Sequence, residues 1–164
     1  MRISDIKQSY SWYIVVFVAM LLSISLFPAK FNFYVPWLML VVIYSSIYLN
    51  LKFTVYHAWF LGVVLDLLLG TLLGQSALAF SIVCFLSIKL ARRFKFLDIV
   101  QQLLIIFCLV LIGQSIVIWL QYKIGNSMQS IVIFKTALIG ALLWLPLSFL
   151  LRKILLKNSQ SYIN

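Results

Sequence analysis

From Phe53 to Leu90 the chain is predominantly apolar, and as one continuous helix this stretch would run for about 57 Å, against a bilayer hydrocarbon core of about 30 Å. It is too long for a single crossing and too apolar for a helix in water, so it has to fold back on itself. The natural place is Gly70-Thr-Leu-Leu-Gly74-Gln75-Ser76, where two glycines and a polar pair interrupt the leucines. Asp66, one helical turn before Gly70, is the only acidic side chain inside an apolar run. A charge in that setting is costly and calls for a structural or functional reason.

The other runs fit the same scheme at roughly 20 residues per crossing. With the folded-back stretch they predict an all-α polytopic membrane protein: a bundle of six transmembrane helices over about 12–27, 33–51, 53–70, 74–91, 97–120 and 131–151, forming one domain over residues 1–164. Composition agrees: 65% of residues are hydrophobic and 10% charged, where soluble domains carry about 25% charged residues. No space remains for a separate soluble module of about 50 residues or more. The first run follows a short basic stretch, as in a signal peptide, but Phe27-Pro28-Ala29-Lys30-Phe31 offers no small-x-small cleavage site, so the helix is expected to be retained.

The net charge of +10 does not point to nucleic acid, because the basic residues lie between apolar runs rather than on one soluble face. They read as topology signals. With a cytoplasmic N-terminus, Arg2, Lys7, Lys52, Lys89, Arg92, Arg93, Lys95, Arg152, Lys153 and Lys157 fall inside, and Lys30, Lys123 and Lys135 toward the outside. Both termini are therefore expected in the cytoplasm. Tyr10, Trp12 and Tyr13 on the inner side, with Tyr34, Trp37, Trp119 and Tyr122 on the outer, are placed as boundary anchors, whereas Trp144 falls in mid-span and is read as packing.

Candidate chemistry is sparse. Glutamate is absent, and Asp5 and Asp98 sit at expected boundaries. The single His57 lies nine residues before Asp66, a helical rotation of about 900° that puts the two on opposite faces. Cys84 and Cys108 have no partner at metal-ligand spacing and read as buried or lipid-facing thiols. Convergent acid, base or metal ligands, which a hydrolase or transferase needs, are missing, so neither catalysis nor a cofactor or metal is expected.

What remains is a polar layer near the outer ends of the helices. Asp66, Gln75, Ser76, Gln114 and Lys135 fall at similar depth, which predicts that Asp66 pairs with Lys135 or hydrogen-bonds to Gln114. The bland alternative, polar residues as glue between helices, carries the greater weight. Gly62, Gly70 and Gly74, at four-residue spacing, are read first as sites of close backbone approach or turning. The cytoplasmic cluster Lys89, Arg92, Arg93 and Lys95 reads as topology, with contact to anionic lipid or a partner as the sharper alternative.

The pattern Gly62-x-x-x-Asp66-x-x-x-Gly70-x-x-x-Gly74 resembles the signature segment of the MreD family, the rod shape-determining membrane proteins of bacteria. Pro36-Trp37 opening the second span and Trp144-Leu-Pro146 followed by Leu150-Leu151-Arg152-Lys153 are also similar to that family. Members often carry asparagine between the proline and tryptophan, where this chain has none. The resemblance implies a non-catalytic scaffold in the bacterial cytoplasmic membrane that binds MreC and, through it, works with MreB, RodA and a penicillin-binding transpeptidase in cell elongation and peptidoglycan synthesis. It implies partner binding at Gly62, Asp66, Gly70 and Gly74, with Asp66 fixing the geometry of the third and fourth helices. The family's fold is similar to the six-helix substrate-binding subunits of energy-coupling transporters, which supplies the main rival: a small-molecule-binding subunit whose site would be the polar layer. Such subunits often present small residues four apart on their first helix, a pattern met here by Ala19-x-x-x-Ser23.

Overall fold

The computed structural model describes residues 15–23, 36–48, 54–94, 96–122 and 130–157. Every regular element among them is a helix: α1 (residues 15–23), α2 (Trp37–Tyr48), α3 (Val55–Leu69), α4 (Gln75–Phe94), α5 (Ile99–Tyr122) and α6 (Ser130–Lys157). The helices lie within or across the expected runs, and α4, α5 and α6 continue beyond their expected ends at 91, 120 and 151. The N-terminal residues through Tyr13, and Lys30, Tyr34, Lys52, Lys95 and Lys123, lie outside the described residues.

Helix α5 and residues Ile133–Leu150 of α6 are long and apolar enough to cross a membrane, while α2 and α3 are shorter apolar helices. Helix α4 lies at the centre of the contacts, against α3, α5 and α2, and α6 packs on α5 and more lightly on α2. Pro36 opens α2, its carbonyl accepting from Leu40 N at 3.0 Å.

Helix α2 is buried on all sides, with every residue from Leu38 to Ile47 enclosed. Its sequence WLMLVVIYSSIY has no polar stripe to turn toward solvent, the pattern of a helix surrounded by apolar matter. The two serines satisfy their hydroxyls within the helix, Ser45 on the Val41 carbonyl and Ser46 on the Val42 carbonyl. Trp144 of α6 is 1% exposed. Its ring meets Phe94 edge-on at 5.9 Å and Tyr44 at 6.1 Å, packing between α2 and α4 as expected of its mid-span position. The indole Nε1 of Trp37 is buried, with no hydrogen-bond partner among the described residues. Trp119 and Tyr122, at the end of α5, are exposed.

In α1, Val16, Ala19 and Ser23 are buried, while Phe17, Val18, Leu21 and Leu22 are exposed. The small pair Ala19 and Ser23 is therefore turned into the protein, and the Ser23 hydroxyl donates to the Ala19 carbonyl at 2.8 Å. It does not form an outward-facing docking strip.

Candidate functional site

The α3–α4 turn is built around Asp66, whose main chain and side chain both hold it. The Asp66 carbonyl accepts from the N–H of Gly70, which caps α3 in the left-handed conformation at φ 62°, and from Thr71 N at 3.1 Å. This double acceptance closes the helix end, and glycine is the residue that adopts the left-handed cap without a Cβ penalty. Gly74, at φ 97°, then reverses the chain into α4, its carbonyl accepting from Leu78 N at 2.9 Å as the first bond of the new helix.

A glycine in that position supplies no side-chain oxygen for the orphan amides at the start of α4. Asp66 supplies it from the preceding helix. Its Oδ2 accepts from Gly74 N at 2.9 Å and Ser76 N at 3.1 Å, and its Oδ1 from Ser76 N at 3.1 Å and the Thr71 hydroxyl at 3.2 Å. The carboxylate is fully buried. These are charge-assisted bonds at the positive end of a helix dipole, the arrangement that makes an anion tolerable in an apolar interior.

Gly62 completes the unit one turn earlier on α3. A methyl group there would stand 2.5 Å from the backbone nitrogen of Ala77 and 2.7 Å from the carbonyl carbon of Ser76. The two helices touch backbone to backbone at this point, and that contact sets Asp66 opposite the amides it accepts from. Gly62, Asp66, Gly70 and Gly74 thus come together in one hairpin, with Gly62 serving close approach, Asp66 capping, and Gly70 and Gly74 positive φ.

The expected partners of Asp66 are different from those found. Lys135 is exposed on α6, and the carboxylate is occupied by Thr71, Gly74 and Ser76. Gln114 is buried on α5 and is not among the groups bonded to Asp66. Gln75 is buried beside the hairpin, and its Oε1 has no hydrogen-bond partner among the described residues. Sequence reasoning missed Thr71 as a donor and Ala77 as the surface Gly62 rests on. The available signal was the glycine at the start of α4, an N-cap without an oxygen, eight residues after an aspartate.

His57 lies at the far end of α3, its Nδ1 accepting from Thr54 N at 3.4 Å. Cys84 is buried with its sulfur 3.1 Å from the Ser46 hydroxyl oxygen, while Cys108 is exposed, and both are free thiols. Among the described residues no three His, Cys, Asp or Glu side chains gather in a way that would hold a metal ion. Lys89, Arg92 and Arg93 are exposed near the C-terminal end of α4.

The family model described as MreD, rod shape-determining protein, matches residues 5–154 of the chain. No solved structure matches it.

Proposed function

Because the chain belongs to the rod shape-determining protein MreD family, a family of membrane-embedded structural components not known as enzymes, we propose that it serves as a non-catalytic scaffold of the bacterial cell-elongation machinery. In this reading it spans the cytoplasmic membrane six times, with both termini in the cytoplasm. It binds MreC directly and, through it, works with MreB, RodA and a penicillin-binding transpeptidase to support peptidoglycan synthesis and cell shape.

The observation that carries the reading is the fate of Asp66. The one acidic group inside an apolar run is fully buried and engaged by three donors of its own hairpin. A charge consumed by the fold supports a structural role. A catalytic or ligand-capturing carboxylate would instead face a cleft with unsatisfied valence. The same engagement weighs against the transporter-subunit reading, whose substrate site would have to be this layer.

Helical docking is the proposed mechanism. Lipid gives little hydrophobic drive between helices, so side-chain packing and interhelical hydrogen bonds supply the affinity for the transmembrane helix of MreC. Asp66 and Gly62 act by holding α3 against α4, so that the bundle presents one shape to its partner. Gly62 is itself covered by Ala77, and its contribution to binding is through the hairpin.

The test is mild-detergent purification of a C-terminally tagged copy from its native membrane, followed by mass spectrometry of the retained proteins. Recovery of MreC with the elongation synthases is expected, and Asp66→Leu is expected to lower it. Recovery of paired ATPases with a coupling membrane subunit, or undiminished MreC recovery by Asp66→Leu at equal expression, would count against the scaffold reading or the role of Asp66, respectively.

A further inference from the structure

The outward stripe of α4 changes character along its length. At spacings of three and four residues it reads Leu78, Ile82 and Phe85, then Lys89 and Arg92 with Arg93 beside it, all exposed. Register explains where the change falls. Gly62 meets Ala77, so α3, running the opposite way, ends at Val55 opposite about Cys84. Helix α2 runs alongside, its Ser46 hydroxyl 3.1 Å from the Cys84 sulfur. Helix α4 then continues for about 15 Å to Phe94, beyond the level at which α3 begins. The three cations sit on the outward side of this extension, whose inner side is buried at Ser87, Ala91 and Phe94.

Their surroundings are informative. The Lys89 ammonium lies 4.5 Å from the centre of the Phe85 ring, and neither Arg92 nor Arg93 has an ion-pair partner among the described residues. Asp98, exposed at the start of α5, is the one acid near them in sequence, leaving the corner with excess positive charge. The same corner exposes Phe96 at 92%, Ile99 at 63% and Val100 at 74%. Placed in water, this corner would hydrate three bulky apolar side chains. Placed in hydrocarbon, it would strand two guanidinium groups. Only the headgroup level accommodates both, with the apolar groups among acyl chains and the cations among phosphates.

We propose that the α4–α5 corner binds the phosphodiester headgroup of an anionic glycerophospholipid. Arg92 and Arg93 present planar forks suited to phosphate oxygens, and Lys89 adds a third charge one turn away. Phe96, Ile99 and Val100 insert among the acyl chains of the same lipid. A zwitterionic lipid carries its own cation into this positive corner, whereas an anionic one complements it.

The experiment is native mass spectrometry of the full chain in a non-ionic detergent, with phosphatidylglycerol and phosphatidylcholine added in equal, graded amounts. Phosphatidylglycerol is expected to be retained over phosphatidylcholine by on the order of tenfold, since each basic group near an anionic surface contributes several-fold. The variant K89Q/R92Q/R93Q is expected to bring the preference near parity, and R92K/R93K to leave it intermediate. If the triple variant does not elute as wild type, R92Q and R93Q singly are each expected to lower the preference about threefold. No preference in the wild type, or a preference unchanged by these substitutions, overturns the assignment. So does an unchanged lipid preference with loss of an acidic protein partner, which would make the corner a protein contact. The readout involves neither MreC nor the synthases, so its outcome is independent of the scaffold reading.

Discussion

Replacing Asp66 separates the hairpin staple from an ion pair with Lys135. Asp66→Ala removes the acceptor for three donors at once. The Ser76 amide is buried, and stranding it costs about 1–3 kcal/mol, while Gly74 N–H and the Thr71 hydroxyl, partly accessible, each lose a charge-assisted bond of about 1–2 kcal/mol net. The expected loss is about 3–7 kcal/mol. Asp66→Asn keeps the shape and one carbonyl oxygen, which continues to accept from Thr71 and Ser76 in the place of Oδ1. Its amide nitrogen then faces the Gly74 N–H, donor against donor, and the expected loss is about 1.5–3 kcal/mol, near half that of alanine. Lys135→Met, at an exposed site outside the staple, should change stability by less than about 0.5 kcal/mol. Equilibrium unfolding of the purified protein in mixed micelles, titrated with a denaturing detergent and followed by tryptophan fluorescence, measures all three. Asp66→Asn behaving as wild type, or Lys135→Met matching Asp66→Ala, would refute the reasoning.

Gly62→Ala forces a methyl group into the backbone of Ala77; it should destabilise by about 3 kcal/mol and speed amide exchange at Ser76 and Ala77 on the order of 100-fold, and normal protection there would contradict the close approach. Gly74→Ala meets open space but must hold φ 97°, so a loss of about 1–2 kcal/mol is expected from conformation alone, measured by the same unfolding titration. Cys108 is exposed and Cys84 is buried; in detergent, N-ethylmaleimide should modify Cys108 at least on the order of ten times faster, and equal rates would mean that the α2–α4 contact is open.

The fold-back at Gly70 to Ser76 was legible because glycine and polar residues punctuate a leucine run whatever surrounds it. The partners of Asp66 were not, because matching depth along two helices leaves their rotation undetermined. On α6 the buried positions Ala137, Gly140 and Trp144 define the inward face, and Lys135 stands off that face although its depth suits Asp66. Local chemistry would have served better, since all three donors lie within ten residues of the carboxylate. The enclosure of α2 was equally hidden. Helices α2 and α5 are both apolar all round, yet α2 is sheathed in protein and α5 shows Leu104, Ile112 and Trp119 outward. Lipid tails and a protein core are alike in polarity, so hydrophobic periodicity fades where it would tell the two apart. The small residues of α1 were ambiguous for the same reason, as close packing serves an internal neighbour as well as an external one.

The locality of the staple bears on how the chain is made. The donors to Asp66 come 5, 8 and 10 residues after it, so once Ser76 has been synthesised the carboxylate has every partner it uses in the finished protein. No later segment is required to shield it. In the proposed six-span arrangement, a ribosome delivering this chain to an insertion machine releases α3 and α4 as a pair whose buried charge is already matched, and entry into lipid need not wait for α5 or α6. The hairpin can act as the unit of insertion, laid down before the helices that later close around it.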